Sequence, residues 1–201
     1  DTNSALAAAL AAAKLGIPVI HVEAGLRSYN RVMPEEINRV VTDHLSELLF
    51  CPSDSARTNL KKEGITRGIH VVGDIMYDVF TCHFPAVHPH PSADPFILAT
   101  IHRPENVDDP SRCREILAAL DAAPLPVVIP VHPRLKKCLA ILNCVSYRNI
   151  TLCEPLGYLE MLAHLKSCAW VVTDSGGLQK EAYYAGKKCL TVRTETEWTE
   201  L

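Results

Sequence analysis

Apolar and polar positions along the chain alternate between short β-branched runs and longer segments with apolar residues three and four apart. Alanine-rich residues 5–13 make the first helical segment, with Asn3 or Ser4 placed to cap it and Gly16 and Pro18 placed to end it. Residues 17–22 then read as a strand. Pro34, Glu35 and Glu36 open a second helix with a proline and two carboxylates in its first turn, and Ile37, Val40, Val41, His44, Leu45 and Leu48 recur at helical spacing. Residues 49–51 predict a strand, 53–63 a helix capped by Ser53, and 70–72 another strand. No hairpin turn joins these runs, so the pattern predicts parallel strands with helices packed on the sheet.

Between residues 81 and 95 the periodicity stops, and Pro85, Pro89, Pro91 and Pro95 crowd together. That composition marks a boundary. The chain therefore divides into a first α/β domain over residues 1–80, a linker over 81–95 and a second domain over 96–201. In the second domain strands fall at 96–101, 127–131, 150–152, 170–173 and 189–192. Helices fall at 112–122, 134–142 and 158–167, and one more starts after Ser175. This is a doubly wound α/β order.

Composition narrows the partners. The 201 residues are 48% hydrophobic with a formal net charge of -3, which suits packed domains and not a polyanion-binding surface. The basic pairs Lys61-Lys62, Lys136-Lys137 and Lys187-Lys188 are isolated, so nucleic acid is not an expected partner. The apolar opening lacks a basic leader and is shorter than the ~20 residues of a membrane span, which removes the membrane as well. Eight cysteines are scattered without a Cys-x-x-Cys pair and sit within apolar patterns. They read as buried, reduced thiols and point to the cytoplasm. Cys82, His83, His88 and His90 cluster in sequence, but in a proline-rich stretch that reads as a connector, so no metal site is expected.

The chemistry gathers where strands end. In parallel α/β sheets ligands sit beyond the carboxyl ends of the strands. His21 and Glu23 follow the first strand, on one face by alternation. His102-Arg103-Pro104-Glu105-Asn106 follows the strand at 96–101, and His132-Pro133 follows the strand at 127–131. The strand at 170–173 runs into Asp174-Ser175-Gly176-Gly177, where small residues and a helix start let backbone N–H groups approach an anion. Glu181 lies near enough on that helix to accept from a sugar hydroxyl. A histidine and an arginine facing such a nest suit a diphosphate, and carboxylates on the other domain suit proton transfer.

Each feature also has a plainer structural reading. Glu35 and Glu36 are favourable in any first helical turn; His44 and His164 fit helix interiors; Arg27, Arg31 and Arg39 are either solvated or phosphate clamps. Asp174-Ser175-Gly176-Gly177 also matches the nucleophile loop of trypsin-like proteases. That fold is all-β, so here Ser175 is the better donor to phosphate than attacker of a carbonyl.

Five motifs in order resemble the signatures of the non-hydrolysing UDP-N-acetylglucosamine 2-epimerases. They are His21-Val22-Glu23-Ala24-Gly25-Leu26-Arg27-Ser28, Pro34-Glu35-Glu36-x-Asn38-Arg39, Thr100-Ile101-His102-Arg103-Pro104-Glu105-Asn106, Pro130-Val131-His132-Pro133, and Thr173-Asp174-Ser175-Gly176-Gly177-Leu178-Gln179-Lys180-Glu181-Ala182. The resemblance runs nearly end to end, and Asp1-Thr2 is similar to the family's Asp-Thr after its preceding strand. It implies a GT-B-like fold of two Rossmann-like domains with the sugar nucleotide in a cleft, and reversible conversion of UDP-N-acetylglucosamine to UDP-N-acetylmannosamine through a 2-acetamidoglucal. It implies no cofactor and no metal.

By position, the resemblance makes Asp1, Glu23 and Glu35 the acid/base carboxylates and His102 the histidine beside the departing diphosphate. Ser175, Gly176 and Gly177 become the phosphate nest, Glu181 the ribose contact, and Leu156 and Met161 the lining of the uracil pocket, with Met161 where relatives often carry an aromatic. Glu35, Arg103 and His132 fall where the family binds a second substrate molecule as an allosteric activator. A homodimer is implied for the full-length protein.

Relatives start earlier, with a strand and Gly-Thr-Arg-Pro-Glu, and continue past the region of Thr196-Glu197-Trp198. The 201 residues are therefore expected to be a middle section, inactive and poorly soluble alone, with an incomplete first sheet. Other readings stand beside this one: a hydrolysing 2-epimerase, a GT-B glycosyltransferase, or a domain that binds UDP-sugars without chemistry. The pair Glu23 and Glu35 favours the epimerase over the transferase.

Overall fold

The computed structural model describes residues 2–91, 94–142 and 146–193. Two compact units divide near Val79 and Phe80. The first is a three-stranded parallel sheet in the order β1-β2-β3, formed by β1 (Ile20–Val22), β2 (Leu48–Cys51) and β3 (Ile69–Val71). Helices α1 (Asn3–Lys14), α2 (Pro34–Leu45) and α3 (Asp54–Lys62) alternate with them, and α4 (Ile75–His83) carries the chain onward. Ser53 caps α3 as its sequence foretells, its hydroxyl accepting from the Ala56 N–H. The cap of α1 is Thr2 and not Asn3 or Ser4, since Asn3 is already helical and its side chain instead meets Asn38 of α2 at 2.8 Å.

Helix α2 reverses the simple amphipathic expectation. Its buried residues are Glu36, Asn38, Arg39, Thr42 and Asp43, while Ile37 and Val41 are 49% and 37% exposed. The reason lies in the loop that follows β1. Its unpaired N–H groups need acceptors, and two carboxylates of α2 supply them, so the polar face turns inward. The apolar core of this unit is small and lies between the loop and α3: Ala24, Leu26, Leu49, Cys51, Ala56 and Leu60.

The second unit is a five-stranded parallel sheet, β6-β5-β4-β7-β8. Its strands are β4 (Ile97–Thr100), β5 (Val127–Pro130), β6 (Ile150–Cys153), β7 (Trp170–Thr173) and β8 (Lys188–Thr191). Between them run α5 (Pro104–Val107), α6 (Pro110–Asp121), α7 (Pro133–Ile141), α8 (Tyr158–Ser167) and α9 (Gly176–Tyr184). Alternation along the central strands feeds both faces. Ile97 and Ala99 pack under α6 and α7 with Ile116, Leu117 and Leu135, whereas Leu98 and Val171 pack on the other face with Leu162 and Leu165 of α8 and Leu178 of α9. Proline at the first position starts α2, α5, α6 and α7, where its missing N–H costs no helical bond.

The stretch 81–95, expected as a bare linker, contains regular structure. Thr81 to His83 complete α4, and Phe84–Ala86 form a 3-10 turn. Lys166 holds that turn by donating to the carbonyls of Phe84, Pro85 and Val87 at 2.9 to 3.3 Å, with its ammonium 5.0 Å from the Phe84 ring centre. The proline clustering hid α4, whose apolar Phe80 stacks on Phe84 at 4.5 Å.

The strand order places the start of the sheet, β4, between β5 and β7, so the direction of winding reverses between β4 and β7. That is the topological switch point, where the crevice of such a sheet opens. In the first unit Gly25, at φ +83, holds the loop after β1 against α3, where an added Cβ would stand 2.4 Å from the Ala56 carbonyl oxygen. We therefore expect Gly25→Ala to destabilise the protein by more than ~1 kcal/mol in urea unfolding, against the few tenths typical of an exposed substitution.

Candidate functional site

At the switch point, Ser175 is the N-cap of α9, its hydroxyl accepting from the Leu178 N–H at 3.3 Å, and its own N–H donates to the Thr173 hydroxyl at 2.9 Å. Gly176 and Gly177 are the first helical residues, so their N–H groups have no partner within the helix. Across from this turn stands the loop after β4. The two strand ends are stitched by the hydroxyls of Thr100 and Thr173 at 2.6 Å and by the Asp174 N–H on the Thr100 carbonyl.

Asp174 organises the site. Its carboxylate is fully buried and accepts from the backbone N–H of His102 at 2.9 Å, the N–H of Arg103 at 2.8 Å and the Asn106 amide at 3.0 Å, and it lies 2.9 Å from His102 Nδ1. Burial by itself would push this carboxyl up; the donors from His102, Asn106 and Arg103 outweigh it and hold the carboxyl below its ordinary value. The His102 ring lies 5.1 Å from that of His132, whose Nδ1 accepts from the Arg134 N–H at 3.2 Å. Burial, then the neighbouring His102, push His132 down. Arg103 returns to the cradle, its Nε donating to the Asp174 carbonyl at 3.2 Å.

Glu181 is buried on α9, and burial raises its carboxyl above the usual value against the opposing pull of the Tyr158 hydroxyl and Lys180. Tyr158 in turn is pushed up to about 12, by burial and by Glu181. Tyr158 escaped sequence reasoning because an aromatic at a helix start reads as packing. Met161 is half-buried and packs against the core under α8, and Leu156 is half-buried after β6.

The first unit places its candidates on the loop after β1. Glu23 is half-buried and stands at φ +70, a left-handed conformation uncommon outside glycine, and Tyr29 repeats it at φ +59. Two carboxylates of α2 fasten this loop. Asp43 accepts from the Gly25 N–H at 3.1 Å, and Glu36 accepts from the N–H groups of Ser28 and Tyr29 at 2.9 Å each. Arg27 is buried and not a solvated arginine: it donates to Asp43 at 2.7 Å and doubly to Glu63 at 2.7 Å. Arg39 is buried as well, 3.5 Å from Glu36. His21 lies 2.6 Å from Asp43. Glu35 is half-buried at the start of α2. Sequence reasoning missed the roles of Glu36 and Asp43, because the spacing of polar residues along α2 does not tell that its polar face turns inward.

Asp1 lies outside the described residues, as do Cys144, Thr196, Glu197 and Trp198. Among the described residues no group of three or more His, Cys, Asp and Glu is placed to hold a metal ion, and no helix is long and apolar enough to cross a membrane. The seven described cysteines are all unbridged, with Cys51, Cys113, Cys138 and Cys168 buried and Cys82 exposed.

A parallel α/β unit with a Ser-Gly-Gly helix start, a buried carboxylate and a histidine at its switch point has the architecture of a Rossmann-type unit. The family follows from comparison. Residues 1–201 match the family model described as UDP-N-acetylglucosamine 2-epimerase, and the chain belongs to that family, with its GT-B-like α/β fold.

It is 49% identical over 210 residues to the UDP-2,3-diacetamido-2,3-dideoxy-D-glucuronate 2-epimerase of Pseudomonas aeruginosa, covering 100% of this chain and 59% of that protein. It is 41% identical to the UDP-N-acetylglucosamine 2-epimerase of Methanocaldococcus jannaschii, covering 100% and 60%. The crystal structure of that enzyme with UDP-GlcNAc and UDP superposes with a TM-score of 0.88, over 100% of this chain and 60% of the other. The Neisseria meningitidis enzyme bound to UDP-GlcNAc gives 0.86 at 33% identity, over 100% of this chain and 59% of the other. The chain thus spans about three fifths of the length of these relatives.

The linkage of Asp174 to pH has a definite sign. Its carboxyl is depressed in the folded state, so its contribution to stability is complete above the ordinary value of 3.8 and is lost as pH falls through the lower native one. Thermal melts between pH 2 and 5 should show Asp174→Asn less stable than the parent at pH 5 and the gap closing toward pH 2.

Proposed function

We propose that the protein inverts carbon 2 of UDP-N-acetylglucosamine, giving UDP-N-acetylmannosamine reversibly by elimination and re-addition of UDP. The observation that carries this reading is the pairing, at one switch point, of the Ser175-Gly176-Gly177 helix start with the Asp174-held His102. It supports a site that grips a diphosphate and helps it leave and return. Glu181 is the ribose contact, and Leu156 and Met161 line the uracil pocket. A base removes the proton at carbon 2 while the bond from carbon 1 to the diphosphate oxygen breaks, leaving 2-acetamidoglucal and UDP. UDP then adds back to carbon 1 and a proton returns to carbon 2 from the opposite face.

The chemistry explains the need for several carboxylates. A proton on that carbon is weakly acidic, and coupling its loss to departure of a stabilised diphosphate avoids a free carbanion. Asp1, Glu23 and Glu35 take the acid/base roles. Glu35, Arg103 and His132 bind a second molecule of substrate as an activator, and the complete protein acts as a cytoplasmic homodimer without a cofactor.

A second substrate is favoured by one observation, the 49% identity to the Pseudomonas aeruginosa enzyme. Its UDP-2,3-diacetamido-2,3-dideoxy-D-glucuronate calls for the same inversion next to the same leaving group, with a different sugar at carbons 3 and 6. Incubating the complete protein with each nucleotide sugar in deuterated water distinguishes the two. We expect deuterium at carbon 2 of UDP-N-acetylglucosamine and its epimer with the nucleotide intact, and Glu23→Gln and Glu35→Gln to slow this by about 10²-fold or more while UDP still binds. Free UDP with a free mannosamine derivative would instead assign a hydrolysing enzyme; UDP binding without exchange into either sugar would assign a binding domain.

A further inference from the structure

We infer that Asp174 is the positioning residue of His102: it fixes the hydrogen of the ring on Nδ1 and so reserves Nε2 for the anion held before the Ser175-Gly176-Gly177 turn. The identity of that anion as a nucleotide diphosphate rests on the function proposed above; the positioning itself does not.

An ionised carboxylate only accepts, through about four lone-pair positions. Asp174 has no exposure, and four groups point at it: the His102 N–H, the Arg103 N–H, the Asn106 amide and the His102 ring. With its positions filled by donors it has no acceptor to which it could give a proton of its own. The ring nitrogen 2.9 Å away must therefore be the donor, which places the hydrogen on Nδ1. The ring's far edge carries Nε2, and the His102 side chain keeps 32% of its surface accessible although its Nδ1 edge abuts a fully buried group. With Nδ1 turned to Asp174, Nε2 is the ring nitrogen left to meet a ligand.

The neighbouring ring obeys the opposite rule. His132 caps α7, with Nδ1 accepting from the Arg134 N–H, so its neutral form carries hydrogen on Nε2. Two histidines 5.1 Å apart thus hold opposite tautomers, each set by its own loop.

The competing account makes Asp174 a staple for the loop after β4 and nothing more. Asparagine at this position separates the two. Oδ2 receives the N–H groups of His102 and Arg103 and the Asn106 amide, while Oδ1 receives the ring and a longer bond of 3.1 Å from the His102 N–H. An asparagine amide costs least with its NH2 at the Oδ1 place, where it donates to the ring and forces the hydrogen onto Nε2. Asn106→Ala loosens the same staple, since Asn106 also donates to the Val192 carbonyl at 2.9 Å, but leaves the ring bond in place.

The test is nitrogen NMR of the complete protein labelled in its histidine rings, near pH 8, with His102→Gln to assign the signal, alongside melting temperature, UDP affinity and turnover of UDP-N-acetylglucosamine. We expect hydrogen on Nδ1 of His102 in the parent and in Asn106→Ala, and on Nε2 in Asp174→Asn. Both variants should melt lower, with Asp174→Asn losing about 10² to 10⁴ in kcat and Asn106→Ala staying within about tenfold. Hydrogen on Nε2 in the parent overturns the inference, as does a tautomer in Asp174→Asn unchanged from the parent. Equal losses of kcat in the two variants would reduce Asp174 to a staple. A parent that turns over no nucleotide sugar defeats the proposed function, and the NMR still decides the tautomer.

Discussion

A strand that ends inside a sheet leaves a loop whose N–H groups have lost their ladder partners, and burying them without acceptors costs on the order of 1–3 kcal/mol each. This protein meets that constraint with carboxylates from a neighbouring element. Asp43 and Glu36 of α2 take the N–H groups of Gly25, Ser28 and Tyr29, and Asp174 takes those of His102 and Arg103. In each unit a buried aspartate also meets a histidine ring, Asp43 with His21 and Asp174 with His102. The candidate chemistry sits on loops that hold their shape through these acceptors. The left-handed backbone at Glu23 is one result, a conformation that persists when its surroundings over-determine it.

The second unit was the more legible in sequence, for a physical reason. Its central strands β4, β5 and β7 are largely buried, so they appear as continuous apolar runs, and its helices carry apolar faces against them: 158–167 and 170–173 coincide with α8 and β7. The alternation of elements, and hence the α/β class, follows from that. Helix α2 was legible as a helix but not in its orientation, because periodicity reports which residues share a face and not which face turns inward. There, hydrogen-bond demand from a loop 7 to 18 residues upstream decided the matter over the pull of Ile37 and Val41. Helix α4 is hidden in the sequence because the proline density that follows it carries no periodicity, and the anchor that orders this stretch, Lys166, comes from a distant helix.

The candidate site was legible in the same uneven way. His102, Asp174 and Ser175 announce themselves by following strands or opening a helix, which is a positional rule of parallel sheets. The partners of Asp174 and Asn106 do not, since no local pattern encodes a contact 68 residues away, and those of Glu36 and Asp43 do not, since periodicity leaves open which face of α2 turns toward a loop 7 to 18 residues upstream. Arg27 shows the cost of judging charge by type alone, because its guanidinium is buried between Asp43 and Glu63 and serves the fold.

The two buried carboxylates of the second unit show how one cradle divides labour. Both lose solvation, which by itself raises a carboxyl. Asp174 gains enough donors to end below its ordinary value and is thereby committed as a fixed anion with no capacity to spare. Glu181 has the Tyr158 hydroxyl and nearby Lys180 against burial, and it ends above its ordinary value. A carboxylate that is under-satisfied in its own fold is the one with acceptor positions left for a ligand's hydroxyls. Two environments push these like groups apart: Asp174 holds the protein's own loop, and Glu181 is the carboxylate that suits the ligand contact proposed above.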